Sequence, residues 1–123
     1  MDILGKAGQA VGDAVAKAKE RERVRLEDRL QLIDGLAEIA QELVILRKYR
    51  LGYSWRHQSE AKALKLIATA AMIQDTPLAE KVDSLIGIEI PSEGKAPSKE
   101  IDAAYRALVT RLAEVRRETL AED

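Results

Sequence analysis

The residues between Arg47 and His57 include the side chains best suited to binding or chemistry. This segment reads RKYRLGYSWRH and contains four basic residues, three aromatic residues and the only histidine of the chain. Guanidinium groups bind phosphate through paired hydrogen bonds, and tyrosine and tryptophan rings stack on unpaired bases. The same residue types are enriched at the energetic centres of protein interfaces. The candidate binding residues are Arg47, Lys48, Tyr49, Arg50, Tyr53, Trp55, Arg56 and His57.

Charge is distributed unevenly along the chain. The 20 basic and 21 acidic residues leave a net charge of −1, which argues against a protein that binds nucleic acid over its whole surface. Residues 43–58 contain four basic residues and no acidic one, whereas residues 1–42 and 59–123 are each net acidic. A site for a polyanion would therefore have to lie in this one segment.

Three interpretations of the segment remain open. In the first it is structural, because Arg47, Lys48 and Arg50 lie where cations stabilise the C-terminal end of a helix, and Trp55 would fill the end of a bundle. In the second it is part of a protein interface. In the third it binds single-stranded nucleic acid or another polyanion, with basic and aromatic side chains interleaved at a corner between two helices.

The spacing of Arg50 and His57 resembles the Arg-x(4 to 6)-His pattern of HEPN-type ribonucleases, which are helical and metal-independent. The resemblance covers eight residues, Arg50 to His57. It implies that His57 acts as the base on a ribose 2′-hydroxyl while Arg50 stabilises charge on the phosphate. This is the third functional alternative, and a non-enzymatic protein is the preferred expectation.

Several other kinds of site are disfavoured by composition. The chain has no cysteine and one histidine, which excludes disulfides, thiolate chemistry, cysteine-based metal sites and multi-histidine metal sites. Acidic pairs such as Glu38/Glu42 and Glu114/Glu118 lack the Glu-x-x-His pattern of di-metal bundles and are interpreted as solvated helix faces. We expect no cofactor and no metal. No apolar run is long enough to cross a membrane, and we do not expect contact with a membrane surface. We expect a cytoplasmic location.

The elements that position this segment are predicted to be helices. Prolines occur only at positions 77, 91 and 97, and Ala, Leu, Glu, Lys and Arg dominate. Apolar residues recur at helical spacing, with short polar or Gly-containing breaks between the runs. The pattern predicts a long central helix over about 20–51, a short helix over about 77–86 and a C-terminal helix over about 99–120. Between the central and the short helix it predicts another over about 55–74, which we call the third helix because a weakly helical segment precedes the central one.

Two of these helices have wide apolar faces. The central helix has two adjacent stripes, one containing Leu26, Ile33 and Val44 and the other Leu36 and Leu43, so it should contact at least two neighbours. The third helix has one face formed by Ala61, Leu64, Ile67, Ala68 and Ala71, and a second face beside it formed by Ala63, Leu66, Ala70 and Ile73. Its alanine content would allow another helix to approach closely.

Helix boundaries are predicted from local signals. Gly52 is expected to end the central helix in a left-handed conformation, and Ser54 to cap the third helix. Thr76 is expected to cap the short helix, with Pro77 at its first position, and Ser98 to cap the last helix. A pair between Asp102 and Arg106 should support the last helix from outside.

The sequence thus predicts an all-α protein: a compact bundle of four to five helices. Residues 1–19, which are rich in Gly and Ala, form a weakly helical or partner-dependent segment, and residues 20–123 form a single domain. The expected function is that of a small interaction protein or assembly subunit that binds a protein partner or itself as a homo-oligomer. The alternative is an accessory protein that binds nucleic acid through residues 47–57.

Overall fold

The computed structural model describes the backbone of residues 3–121 and the side chains of residues 25–121. Residues 3–121 form four α-helices and contain no β-strand. The helices are α1 (Ile3–Tyr49), α2 (Trp55–Ile73), α3 (Thr76–Ile86) and α4 (Ser98–Ala121). The predicted all-α bundle is confirmed, and the bounds of the last three helices were predicted to within one residue.

The first helix differs from its prediction. It runs without interruption from Ile3 to Tyr49, so it begins well before the expected start near residue 20, whereas its end lies two residues before the expected end near residue 51. The helix continues through Asp34 and Gly35 because the apolar stripes keep the same phase on both sides of this pair. Residues 1–19 were also predicted to depend on a partner. This prediction concerns their side chains, which lie outside the described part of the structure.

The four helices form an up-down-up-down bundle, as contacts at their two ends show. At one end of the bundle, Arg47 of α1 contacts Ser59 near the start of α2, and Lys48 contacts Asp102 near the start of α4. At the other end, Arg29 of α1 contacts both Ile73 and Thr119, close to the ends of α2 and α4. Helix α1 is therefore antiparallel to both α2 and α4, and α3 packs between α2 and α4 on the opposite side of the bundle.

The core consists of aliphatic side chains from all four helices, as the sequence predicts. Both stripes of α1 contribute to it, because α1 packs against α2 on one side and α4 on the other. The α3–α4 connector adds Ile88 and Ile90, which pack against the core while Glu89 between them is exposed. The buried core residues are Ile33, Leu36, Ala40, Leu43, Val44, Leu66, Ala70, Ile73, Leu78, Val82, Leu85, Ile101, Leu108, Leu112 and Val115.

The two apolar faces of α2 have different environments. The face with Ala63, Leu66, Ala70 and Ile73 is buried in the bundle. The other predicted apolar face, formed by Ala61, Leu64, Ile67, Ala68 and Ala71, is exposed throughout, and Met72 is exposed beside it. Only one of the two faces is therefore used to build the fold.

The cap of α3 is one residue earlier than predicted. Asp75, not Thr76, is the N-cap residue, and its Oδ2 accepts a hydrogen bond from the Leu78 backbone N–H at 2.9 Å. Thr76 and Pro77 are the first two residues of the helix. An aspartate is a strong cap in this position because its carboxylate also interacts favourably with the helix dipole.

Of the other three predicted boundary residues, Gly52 and Ser54 match their predictions in part, and Ser98 is the first residue of its helix rather than the cap. The left-handed residue directly after α1 is Arg50, with φ of 47°, and Gly52 is left-handed two residues later, with φ of 87°. Ser54 occupies the N-cap position of α2, but its side chain does not cap; its hydroxyl accepts from Gln58 instead. Ser98 is the first residue of α4, and the first helical hydrogen bond runs from Ile101 to the Pro97 carbonyl.

The predicted pair within α4 is also replaced by a contact between helices. Asp102 pairs with Lys48 of α1 at 2.9 Å, rather than with Arg106 one turn away in its own helix. This pair joins the ends of α1 and α4 at the same end of the bundle as Arg47. Lys48 and Asp102 were each predicted to support their own helix. In the structure they connect two different helices.

Candidate functional site

The segment 47–57 forms the corner between α1 and α2. Its first three residues lie in the last turn of α1, residues 50–54 form the loop, and Trp55, Arg56 and His57 lie in the first turn of α2. The α3–α4 connector, residues 87–97, passes beside this corner. The structure therefore brings most of the predicted binding residues to one end of the bundle, and we refer to this region as the basic corner.

Arg47 is the structural centre of the basic corner. Its Nε donates to the hydroxyl of the buried Ser59 at 3.0 Å. Its Nη1 lies 3.2, 2.9 and 3.2 Å from the carbonyl oxygens of Leu85, Ile86 and Ile88. These carbonyls lie at and just after the end of α3, where no helical N–H group remains to pair with them. Arg47 therefore caps α3 and connects three elements.

Burial lowers the pKa of the Arg47 guanidinium, since a charged group loses solvation when it is removed from water. The group stays charged at any physiological pH because an arginine has a very high intrinsic pKa. Its Nε and Nη1 donate to acceptors within the protein, so each edge of the guanidinium that could bind a phosphate through paired hydrogen bonds already has one nitrogen in use.

Arg50 and Arg56 bind the connector in a similar way, but on the surface. Arg50 donates to the carbonyls of Ser92 and Gly94. Arg56 donates to the Ile90 carbonyl at 3.1 Å and to the Ser92 hydroxyl at 2.9 Å. These acceptors are uncharged, so the two arginines hold the connector in place while retaining their positive charge.

Lys48 is the one cation of the basic corner with a recorded carboxylate partner. Its Nζ lies 2.9 Å from Asp102 Oδ1, and this hydrogen bond raises the pKa of the lysine. The same ammonium lies 5.6 Å from the centre of the Tyr49 ring, within the range of a cation–π contact. The Arg56 guanidinium is stacked in the same manner over Trp55, at 4.9 Å.

The aromatic side chains differ in exposure. Trp55 is partly buried, as expected of a residue that closes the end of the bundle, whereas Tyr49 is mostly exposed. Tyr53 is fully exposed at the tip of the loop, between the left-handed Gly52 and the start of α2. His57 is exposed in the first turn of α2. Two tyrosines and a histidine thus remain accessible after the arginines have bound the connector.

A cleft of about 510 Å³ opens between the start of α2 and the connector. Trp55, Ile88 and Ile90 supply apolar surface, and Arg47, Arg56, Glu60 and Glu89 supply charges of both signs. No cluster of His, Asp and Glu suited to a metal ion occurs in residues that the structure describes. The cleft is therefore amphipathic and of mixed charge.

The ribonuclease hypothesis places two residues in this corner. Arg50 would have to face a phosphate, but its guanidinium is bound to the connector carbonyls of Ser92 and Gly94. His57 is separated from Arg50 by the loop and has no hydrogen bond recorded in the structure. The geometry therefore gives this hypothesis no support beyond the spacing of the two residues.

Sequence reasoning did not identify the exposed face of α2 as a candidate surface. This surface is formed by Ala61, Leu64, Ile67, Ala68, Ala71 and Met72, and we call it the outward face of α2. The available signal was its second apolar stripe together with the absence of any charged residue from position 66 to position 74. Solvated helix faces ordinarily contain charged residues in every turn.

Within the described part of the chain, no helix is both long enough and apolar enough to span a membrane. Comparison of the chain with protein-family models, curated proteins and solved structures gives no match. The functional argument therefore rests on the residues and contacts described above.

Proposed function

We propose that this protein is a small non-enzymatic interaction protein, an assembly subunit that acts through protein–protein contacts and associates with itself. The observation that carries the proposal is the outward face of α2. Leu64 and Met72 are 69% and 65% exposed, although the opposite face of the same helix is completely buried. A helix that already has its packing partners does not need a second apolar face to fold.

The composition of the outward face supports the same conclusion. Of the residues from Leu66 to Gln74, those that reach solvent are uncharged: Ile67, Ala68, Ala71, Met72 and Gln74 are exposed and Thr69 is partly so. Contiguous apolar surface of this kind marks interaction sites more often than isolated exposed apolar residues do. Lys65 lies at the edge of the face, where its stem can cover apolar surface while the ammonium stays in water.

The arrangement of the basic corner favours this function over an enzymatic one. Arg47, Arg50 and Arg56 donate to acceptors on α2, the end of α3 and the connector, and Lys48 is paired with Asp102. These contacts support the structural interpretation of the cluster of basic residues. The outward face of α2, by contrast, is an exposed apolar surface that does not take part in the packing of the described helices.

Sedimentation equilibrium of the full chain over low to high micromolar concentrations tests the proposal. We expect the average molar mass to rise with concentration from that of the monomer toward that of the dimer. A molar mass that stays at 13.6 kDa over the whole range would contradict self-association.

Nucleic-acid binding is the second candidate function, and one observation favours it. Arg50 and Arg56 interact with neutral acceptors and keep their charge, and the exposed ring of Tyr53 lies in the same loop region. Titration with labelled single-stranded RNA at several salt concentrations tests it. Binding that weakens with salt and is lost in an Arg50→Ala/Arg56→Ala variant would support this function; equal binding by the variant would reject it.

A further inference from the structure

The outward face of α2 has an internal symmetry about Ala68. Ala68 lies two residues from both Leu66 and Ala70, which are buried, so its side chain points directly away from the bundle. Leu64 and Met72 lie one turn before and one turn after it. These two large side chains have nearly equal exposure, 69% and 65%. The face therefore has a small residue at its centre and large residues at equal distances on both sides.

We infer that the partner of this face is the same face of a second copy, packed antiparallel about a two-fold axis at Ala68. The inference rests on the proposed self-association and specifies its geometry. In this arrangement Ala68 meets Ala68 of the copy, and each Leu64 lies beside a Met72. Small residues at the crossing point allow helix axes to approach to about 8 Å, and the larger side chains then fill the space on either side.

Charge also favours a second copy as the occupant. A partner that placed charged side chains against the uncharged surface of residues 66–74 would bury those charges without compensation, which is costly. Along their outward surfaces the other described helices expose charged residues, namely Asp34 and Glu38 on α1, Glu80 and Asp83 on α3, and Arg117 and Glu118 on α4. Within the described chain, the surface that matches the outward face of α2 in charge is therefore that face itself.

The size of the face sets the expected strength of the dimer. Stable interfaces bury about 800 Å² on each partner, and three turns of one helix supply less than that. We therefore expect a dimer that dissociates on dilution rather than an obligate one. This agrees with a bundle whose four helices already enclose a complete aliphatic core within a single chain.

Single cysteines provide a direct test because the natural chain has none. Three variants, Ala68→Cys, Leu64→Cys and Met72→Cys, are oxidised mildly, alone and as an equimolar mixture of the last two. Positions 64 and 72 each lie about 6 Å along the helix from position 68. Like positions of the two copies are then about 12 Å apart, too far for a disulfide, whereas positions 64 and 72 of different copies are adjacent.

We expect covalent dimer to form from Ala68→Cys and from the mixture. The yield of this dimer should be roughly tenfold higher than that from Leu64→Cys alone or Met72→Cys alone, because pre-association raises the effective concentration of the paired thiols. Ala113→Cys, on the exposed surface of α4, measures cross-linking by random collision. Efficient cross-linking of Leu64→Cys with itself, without cross-linking in the mixture, would indicate a parallel pair and overturn the inference.

Sedimentation of the reduced variants separates the two levels of the proposal. A dimer in solution with a cross-linking pattern different from the one above leaves self-association intact and rejects the two-fold geometry. A monomer at every concentration rejects both. Thermal unfolding followed by circular dichroism checks that the cysteine variants are folded, and exposure of all three positions makes loss of folding unexpected.

Discussion

Arg111 of α4 binds both carboxylate oxygens of Asp75, with Nε 2.9 Å from Oδ2 and Nη2 2.7 Å from Oδ1. The same Oδ2 accepts the Leu78 backbone N–H and so caps α3. One carboxylate therefore starts the shortest helix and joins it to the last one. Helix α3 has only 11 residues, too few to be stable alone, so this contact should contribute measurably to the stability of the bundle.

Replacing Asp75 separates the two roles of its carboxylate. Asp75→Ala removes both the cap and the pair with Arg111, and we expect the free energy of unfolding to fall by about 2 kcal/mol. Asp75→Asn keeps a capping oxygen and loses the charge, so its loss should be about half as large. Urea denaturation at neutral pH measures both. Equal losses in the two variants would show that the cap contributes nothing.

The same carboxylate predicts a pH dependence. The hydrogen bonds from Arg111, and secondarily the one from Leu78, lower the pKa of Asp75 in the folded protein. A carboxylate with a lowered pKa stabilises the fold fully above its ordinary pKa, near 4, and this contribution is lost as the pH falls through the folded value. The stability difference between wild type and Asp75→Asn should therefore be constant above about pH 5 and shrink below about pH 4.

This difference is obtained from urea titrations of both proteins at a series of pH values. Comparing the two proteins cancels the other carboxyl groups, which titrate in the same range in both. A difference that does not decrease in acid would mean that Asp75 has no special role in acid sensitivity.

Arg47 gives a second stability prediction. In Arg47→Met the side chain keeps an unbranched apolar stem but is shorter and loses every donor, which leaves the carbonyls at the end of α3 and the Ser59 hydroxyl without this partner. We expect the free energy of unfolding to fall by about 2–3 kcal/mol, the cost of leaving several partly buried acceptors unsatisfied.

The matched control is Arg56→Met. Arg56 also donates to the connector, but it is exposed, and water can replace its hydrogen bonds. Its loss should cost less than about 1 kcal/mol. Urea denaturation of both variants makes the comparison, and similar losses would contradict the central role of Arg47.

Two glycines give predictions of opposite sign. Gly35 lies inside α1, and apart from the adjacent backbone of its own helix nothing lies within 4 Å of the place a Cβ would occupy. Gly35→Ala should therefore raise the free energy of unfolding by about 0.5–1 kcal/mol. Gly52 also has open space around it, but its φ of 87° is unfavourable for other residues, so Gly52→Ala should lower the stability by about 1 kcal/mol. Thermal unfolding of both variants tests whether backbone conformation decides the sign.

The helices and the core were accessible from sequence because both depend on the local spacing of apolar residues. The stripes of α1 predicted two neighbours, and α2 and α4 occupy those positions. The cap of α3 was misassigned because Asp75 and Thr76 are both good capping residues and the sequence alone does not show which carbonyl and amide groups face each other.

The roles of the candidate site residues were less predictable. That Arg47 binds the end of α3 depends on where residues 85–88 lie after the chain has reversed direction twice. Sequence spacing shows that basic and aromatic residues cluster, but it does not show which acceptors they meet. In the same way, both faces of α2 are apolar in sequence, and only the packing of the other helices determines which one is left exposed.

The central claim, self-association through the outward face of α2, is tested most directly by the molar mass of a matched pair of variants. Leu64→Glu introduces a charge into this face, whereas Val109→Glu introduces the same charge at an exposed apolar position of α4. At high micromolar concentration, sedimentation equilibrium should give a dimer for wild type and for Val109→Glu, and 13.6 kDa for Leu64→Glu. The same molar mass for all three proteins would contradict the account.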